Sequence, residues 1–159
     1  TGGNDHREPG TPIEYETVPP SSGPHWAQPV FPAREFYSER DRPAMEQLVH
    51  NLEHGYTILW YDEEIADDSE VMGAIKGIAA TLDANDTNQR LKFKAAPWTS
   101  EDGEPFPEGQ HIAFTHWSVD PDTQKQHGTW QYCSALSGEA LEDFMIDYPF
   151  TDSPEPFVP

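Results

Sequence analysis

Five prolines, Pro19, Pro20, Pro24, Pro29 and Pro32, fall between residues 15 and 37 of this 159-residue chain. Each pyrrolidine ring fixes its own φ near about −65°, removes a backbone donor and biases the residue before it towards an extended shape. A segment of that kind cannot be a helix, and it is expected to wrap over elements built elsewhere rather than to pair. Within it, Ser21-Ser22-Gly23-Pro24 has the chemistry of a turn, and the next residue, His25, is presented from a bend with little freedom.

The periodic segments follow the wrap. Residues 43–54 read as a helix, with Asp41 as N-cap, Pro43 in the first turn and an apolar stripe of Met45, Leu48, Val49 and Leu52. Gly55 stops it, and residues 56–61 are β-branched and aromatic, as in a strand. Asp62-Glu63-Glu64 ends that strand. Residues 68–84 repeat Val71, Met72, Ile75, Ile78, Ala79 and Leu82 at helical spacing behind Asp68 or Ser69 as cap, and residues 83–86 close the helix. Residues 91–95 alternate as a half-buried strand does. Residues 96–110 form a loop, 111–119 a central strand, and 129–134 a weaker strand or extended link. Ser137 caps a last helix over about 138–148, and the proline-bearing tail from Pro149 lies over the surface.

This order predicts a single globular domain over 15–159, behind a flexible N-terminal tether over 1–14. The fold class is α/β or α+β, a small mixed sheet flanked by helices. Thioredoxin-like and ferredoxin-like arrangements are both compatible with it.

The candidate chemistry lies where the first helix meets its strand. His50 and His54 stand four residues apart, on one helical face and able to reach one ion. Glu53 is rotated about 100° from His54, and the pattern is not His-Glu-x-x-His, so a zinc-protease arrangement is not encoded. Glu53 is expected to orient a histidine from behind or to cap buried amides. His25, held by the wrap, is the expected third ligand. Three neutral imidazoles at about 2.0–2.1 Å, with no thiolate, suit copper, with zinc as the alternative. Water, Met45, His111 and His116 are candidates for a fourth position, with Met45 read first as a core residue. Tyr15, Trp26 and Tyr37 are expected to pack. Cys133 is expected to be a small buried hydrophobe, and His6 and His127 to be solvated in loops.

Charge narrows the partners. With 29 acidic residues against 9 basic, the formal net charge is −20. That field repels phosphate backbones and anionic membrane surfaces, which excludes nucleic acid and leaves no membrane contact beyond a removed N-terminal anchor. The acids are dispersed and lysine is scarce, which predicts adaptation to high salt, where screening acts within about 3 Å. A single cysteine, Cys133, excludes an internal disulfide and any Cys-x-x-Cys motif. No apolar run approaches the length of a membrane span. The opening Thr1-Gly2-Gly3-Asn4-Asp5 reads like a tether exposed after a leader or anchor was removed.

Pro19-Pro20-Ser21-Ser22-Gly23-Pro24-His25, followed by Val49-His50-Asn51-Leu52-Glu53-His54-Gly55, resembles the domain of unknown function 3105 family, whose members carry PPxSGPH and HxLEHG segments at similar separation. The resemblance extends through Ile112-Ala113-Phe114-Thr115-His116-Trp117 to Phe144 and Pro154-Glu155, with His116 a departure from the family's small residue before the tryptophan. It implies an extracytoplasmic protein, often behind a single membrane anchor, and no particular reaction.

Three functions follow as expectations. The first is an extracytoplasmic copper-binding protein that uses His25, His50 and His54 for metal handling or redox work, with a redox or metal-transfer protein as partner. The second is a metalloenzyme in which the same three histidines leave an open position. The third is a metal-free structural or interaction domain whose histidines fasten the proline-rich segment to the helix.

Overall fold

The computed structural model describes residues 5–30, 34–83 and 88–158. Pro32, the close of the second expected helix over 84–86, and residues 1–4 of the expected tether lie outside them. The elements run β1 His6–Arg7, β2 His25–Trp26, α1 Met45–Glu53, β3 Thr57–Tyr61, α2 Glu63–Asp67, α3 Ser69–Thr81, β4 Phe93–Pro97, β5 Ile112–Val119, β6 Gln126–Cys133 and α4 Gly138–Asp147. The fold is α+β: one four-stranded mixed sheet with helices on both faces.

The sheet order is β4-β3-β5-β6, with β3 parallel to β4 and antiparallel to β5, and with β5 and β6 forming an antiparallel pair. β3 and β4 are direct neighbours joined through α2 and α3, so the split β-α-β unit of a ferredoxin-like fold is absent. A thioredoxin-like arrangement stays compatible with this order, although no helix lies between β4 and β5 among the described residues.

Alternation along the strands builds two cores. Ile58 and Trp60 of β3, with Ala113 and Trp117 of β5, pack against Leu48, Val49 and Leu52 of α1. Leu59 and Tyr61, with Ile112 and Phe114, face Ile75 and Ala79 of α3 and Leu141 and Phe144 of α4. β3 is buried along its whole length, which is why it reads as a continuous apolar run.

Several local expectations are corrected. The helix expected over 68–84 is preceded by a separate turn of helix, α2, because Asp62 caps it by accepting from the Ile65 N–H. Asp68 then caps α3 through the N–H groups of Glu70 and Val71. Asp41 does not cap α1: its carboxylate accepts from the Ser38 backbone and hydroxyl. α1 instead starts behind Ala44, whose N–H donates to the Gln47 side chain. The weak link over 129–134 is a full edge strand, and Cys133 at its end is only half-buried.

The proline-rich segment wraps but, against expectation, also pairs: His25–Trp26 with β1, and Phe36 with Ala95 of β4. The Tyr15 hydroxyl donates to the Pro24 carbonyl at 2.9 Å, and the Tyr132 hydroxyl of β6 donates to the Val18 carbonyl. Ser21 and Ser22 lie against β6 so closely that a Cβ on Gly128 would stand 2.0 Å from Ser21 Oγ. β1, within the stretch expected as a tether, pairs in parallel with β2, placing His6 opposite His25.

The C-terminal tail closes over the end of α1. Gly55 has φ +89°, and a Cβ there would meet the Phe150 carbonyl at 2.7 Å. The Glu155 N–H donates to the Glu53 carbonyl at 2.9 Å. The buried Lys92 ammonium donates to the carbonyls of His54, Pro156 and Val158 at 2.7, 3.0 and 2.7 Å.

Candidate metal centre

The last turn of α1 supplies three of the polar groups at the site. His50, Glu53 and His54 occupy positions i, i+3 and i+4, so Glu53 and His54 straddle the direction of His50 on one helical face. All three are buried, as is His25, which the wrap delivers from the turn at Gly23-Pro24. His6, half-exposed, reaches the same point through the β1–β2 pairing.

Two backbone carbonyls fix the imidazoles. His25 Nδ1 lies 2.9 Å from the Gly23 carbonyl, and His50 Nδ1 lies 2.6 Å from the Trp26 carbonyl. A carbonyl oxygen can only accept, so each Nδ1 carries a proton and each ring turns its Nε2 the other way. Those Nε2 atoms point inward. His25 Nε2 lies 3.0 Å from Glu53 Oε2, and His50 Nε2 lies 3.1 Å from His54 Nε2. His6 Nε2 adds a contact of 3.4 Å to Glu53 Oε2.

The electrostatics favour a cation. Burial works to raise the Glu53 pKa, but the hydrogen bond from His25 and the nearby charges of His25, His6 and His50 outweigh it and hold the carboxyl below its ordinary range. Burial, aided by the neighbouring His54 and His25, lowers the His50 pKa against the pull of the Trp26 carbonyl. The result is a buried carboxylate among imidazole nitrogens, with His6 on the solvent side. Glu53 Oε1 is buried without a hydrogen-bond partner.

One donor atom from each of His6, His25, His50 and Glu53 forms a group whose members all lie within 4.8 Å of one another. Four ligands at about 2.0–2.1 Å from a tetrahedral ion stand about 3.3 Å apart, close to the 3.0 and 3.4 Å contacts seen here. This cluster could hold a metal ion. His54 belongs to a second group of the same kind, with Glu53 and Glu155, and its Nε2 is 3.7 Å from Glu155 Oε2.

The structure therefore brings His25, His50 and His54 into one neighbourhood and adds two residues that sequence reasoning placed elsewhere. Glu53 sits inside the cluster rather than behind it. Its signal was the His-x-x-Glu spacing measured from His50, which the comparison with His54 obscured. His6 is solvent-exposed, as expected, but lies in a strand rather than a loop, and nothing in its local sequence signals a two-residue pairing.

The other candidates for a fourth ligand are engaged elsewhere. His111 pairs with Asp62 at 2.8 Å, which raises its pKa, and Met45 packs on the core. His116 bonds Asp152 at 2.8 Å and the Tyr56 carbonyl at 3.1 Å. It follows Thr115 and precedes Trp117, whose ring makes a T-shaped contact with His25, so alternation turns His116 to the opposite face of the sheet.

A groove of about 830 Å³ lies between α3 and α4 and contains none of the clustered side chains. No described helix is long and apolar enough to cross a membrane.

No curated protein and no solved structure gives a significant match to the chain. A family model described as protein of unknown function (DUF3105) matches residues 6–157, from the β1 histidine to the tail that closes over α1. The cluster and both of the segments that build it lie within that span, and the chain belongs to the DUF3105 family.

Proposed function

We propose that this protein is an extracytoplasmic metal-binding domain that carries copper, for handling or redox use, on the cluster at the end of α1. His25, His50 and Glu53 are the principal ligands, with His6 closing the set and His54, the third histidine expected from sequence, beside His50. The observation that carries this reading is the convergence of imidazole nitrogens beside one buried carboxylate. The Gly23 and Trp26 carbonyls hold two rings with Nε2 turned inward, the arrangement by which a backbone acceptor orients a metal-ligating histidine.

Imidazole and carboxylate donors without a thiolate suit copper(II) and zinc, and the affinity order among divalent ions favours copper. The extracytoplasmic location rests on the family resemblance. A protein partner that supplies or receives the ion, or exchanges electrons with it, completes this reading. A metalloenzyme differs from it in one respect: an exchangeable coordination position open to substrate.

The metal-free reading also has an observation in its favour. The bond from His50 Nδ1 to the Trp26 carbonyl itself fastens the wrap to α1.

Parallel titration with copper and zinc, read by calorimetry and visible spectroscopy, separates the readings. Wild type is expected to bind copper stoichiometrically and tighter than zinc. His50→Ala should abolish that binding, and His54→Ala should weaken it. Absence of stoichiometric metal, with His50→Ala lowering only thermal stability, would establish the structural role instead. A visible spectrum that shifts when azide is added to the copper-loaded protein would indicate the open position of an enzyme.

A further inference from the structure

We infer that the site takes two divalent ions, and that Glu53 bridges them. This rests on the metal-binding reading above and extends it to a second ion, held by His54 and Glu155 together with Glu53.

The second group is geometrically distinct. One donor atom from each of Glu53, His54 and Glu155 lies within 4.8 Å of the others, and Glu155 is absent from the cluster around His25. Glu53 is common to both groups. A carboxylate has two oxygens, each able to bind a different ion. In Glu53, Oε2 is met by His25 and His6, while Oε1 is buried with no hydrogen-bond partner. An acceptor at 0% exposure with nothing to accept from is costly unless a cation meets it. Two ions about 3.5–4 Å apart, the usual spacing of two-metal sites, would use both oxygens.

The backbone holds the third ligand in place. The tail reaches α1 through the bond from the Glu155 N–H to the Glu53 carbonyl, so the two glutamates that share the ion are tied by their main chains. Lys92 fixes the carbonyls on either side, those of His54 and Pro156, and spends its donors on backbone rather than on either carboxylate. His54 is buried, whereas the Glu155 side chain is 37% exposed. The second position is thus the outer one, open to solvent through Glu155. It suits the same class of ion as the first, a divalent first-row metal with a preference for imidazole and carboxylate.

The test is copper(II) loading of the whole chain in 1 M NaCl, which screens adventitious binding to the acidic surface, followed by dialysis, metal analysis and electron paramagnetic resonance. Wild type should retain two ions per chain and Glu155→Gln one. The second equivalent should reduce the isolated-ion signal of the first through coupling across the shared carboxylate. Because Glu155 lies at the rim, its substitution leaves the core intact, and Glu155→Ala checks that the result does not depend on the amide.

One ion in wild type would overturn the bridged pair and leave the metal-binding reading standing. No ion in wild type would overturn both. Two ions retained by Glu155→Gln, or a second signal that simply adds to the first, would place the second ion elsewhere and overturn the assignment.

Discussion

Replacing Gly128 by alanine would push the wrap off the sheet, and the structure sets the size of the effect. The new Cβ would stand 2.0 Å from Ser21 Oγ, 2.7 Å from Ser21 Cβ and 2.9 Å from Ser22 Oγ. The hydroxyls can swing about χ1, but Ser21 Cβ moves only with its backbone. Relief to an ordinary contact of 3.4 Å requires the wrap to retreat by about 0.7 Å. Overpacking of this kind costs about 1–3 kcal/mol. For a domain of this size that lowers Tm by about 2–12 °C.

The same retreat is passed to His25, four residues further along the wrap. A ligand displaced by more than about 0.5 Å is outside the tolerance of a preorganised site. Copper affinity should therefore fall about 10- to 100-fold, the usual penalty for disturbing a ligand's support. The assay is a thermal melt of the metal-free protein followed by copper titration. Gly77→Ala serves as the control, since a Cβ at Gly77 meets nothing within 4 Å. A Gly128→Ala protein that melts with wild type would refute the close seating of the wrap on β6. Normal affinity despite a lowered Tm would refute its coupling to the site.

Gly73→Ala and Gly77→Ala, both inside α3 with open space around them, should each add about 0.5–1 kcal/mol by reducing the freedom of the unfolded chain, measured by urea denaturation. Stability should rise between about pH 8 and 10. Burial lowers Lys92 and Lys94 to about 8, so in that window the unfolded chain holds protons that the folded one has released. Above pH 10 the sign reverses, because burial raises Tyr15 and Tyr61 and the unfolded state loses their protons first. Denaturant melts at pH 7.5, 9 and 10 check this, and Lys94→Met should remove part of the rise. Finally, a net charge of −20 should make Tm climb as KCl is raised from low to molar concentration, as screening relieves self-repulsion. A Tm independent of salt would remove the argument for adaptation to high salt.

What could be read from sequence depended on how local each signal is. α1 and β3 were legible because Leu48, Val49 and Leu52 repeat at helical spacing, and Thr57 to Tyr61 form one buried run ended by the Asp62 cap. The wrap was legible because proline chemistry acts on its own residue and the one before. The neighbourhood of His50 and His54 followed from helix geometry alone. His6 and Glu155 were not legible, because their positions depend on pairing between segments: two residues of β1 beside β2, and one bond from the tail to the Glu53 carbonyl. Pairings so short leave no periodicity to detect. β6 was underestimated because its edge position leaves Trp130 and neighbouring residues exposed, which weakens the alternation.

The histidine of β1 and the glutamate of the tail both come within ligand reach of Glu53, although 149 positions separate them in the sequence. On the proposed reading, bound ions would join positions 6, 53 and 155 and restrict the unfolded ensemble as a crosslink does. The chain has one cysteine and cannot form an internal disulfide, so metal would be its removable staple. Chelation would then release both ends of the domain in one step.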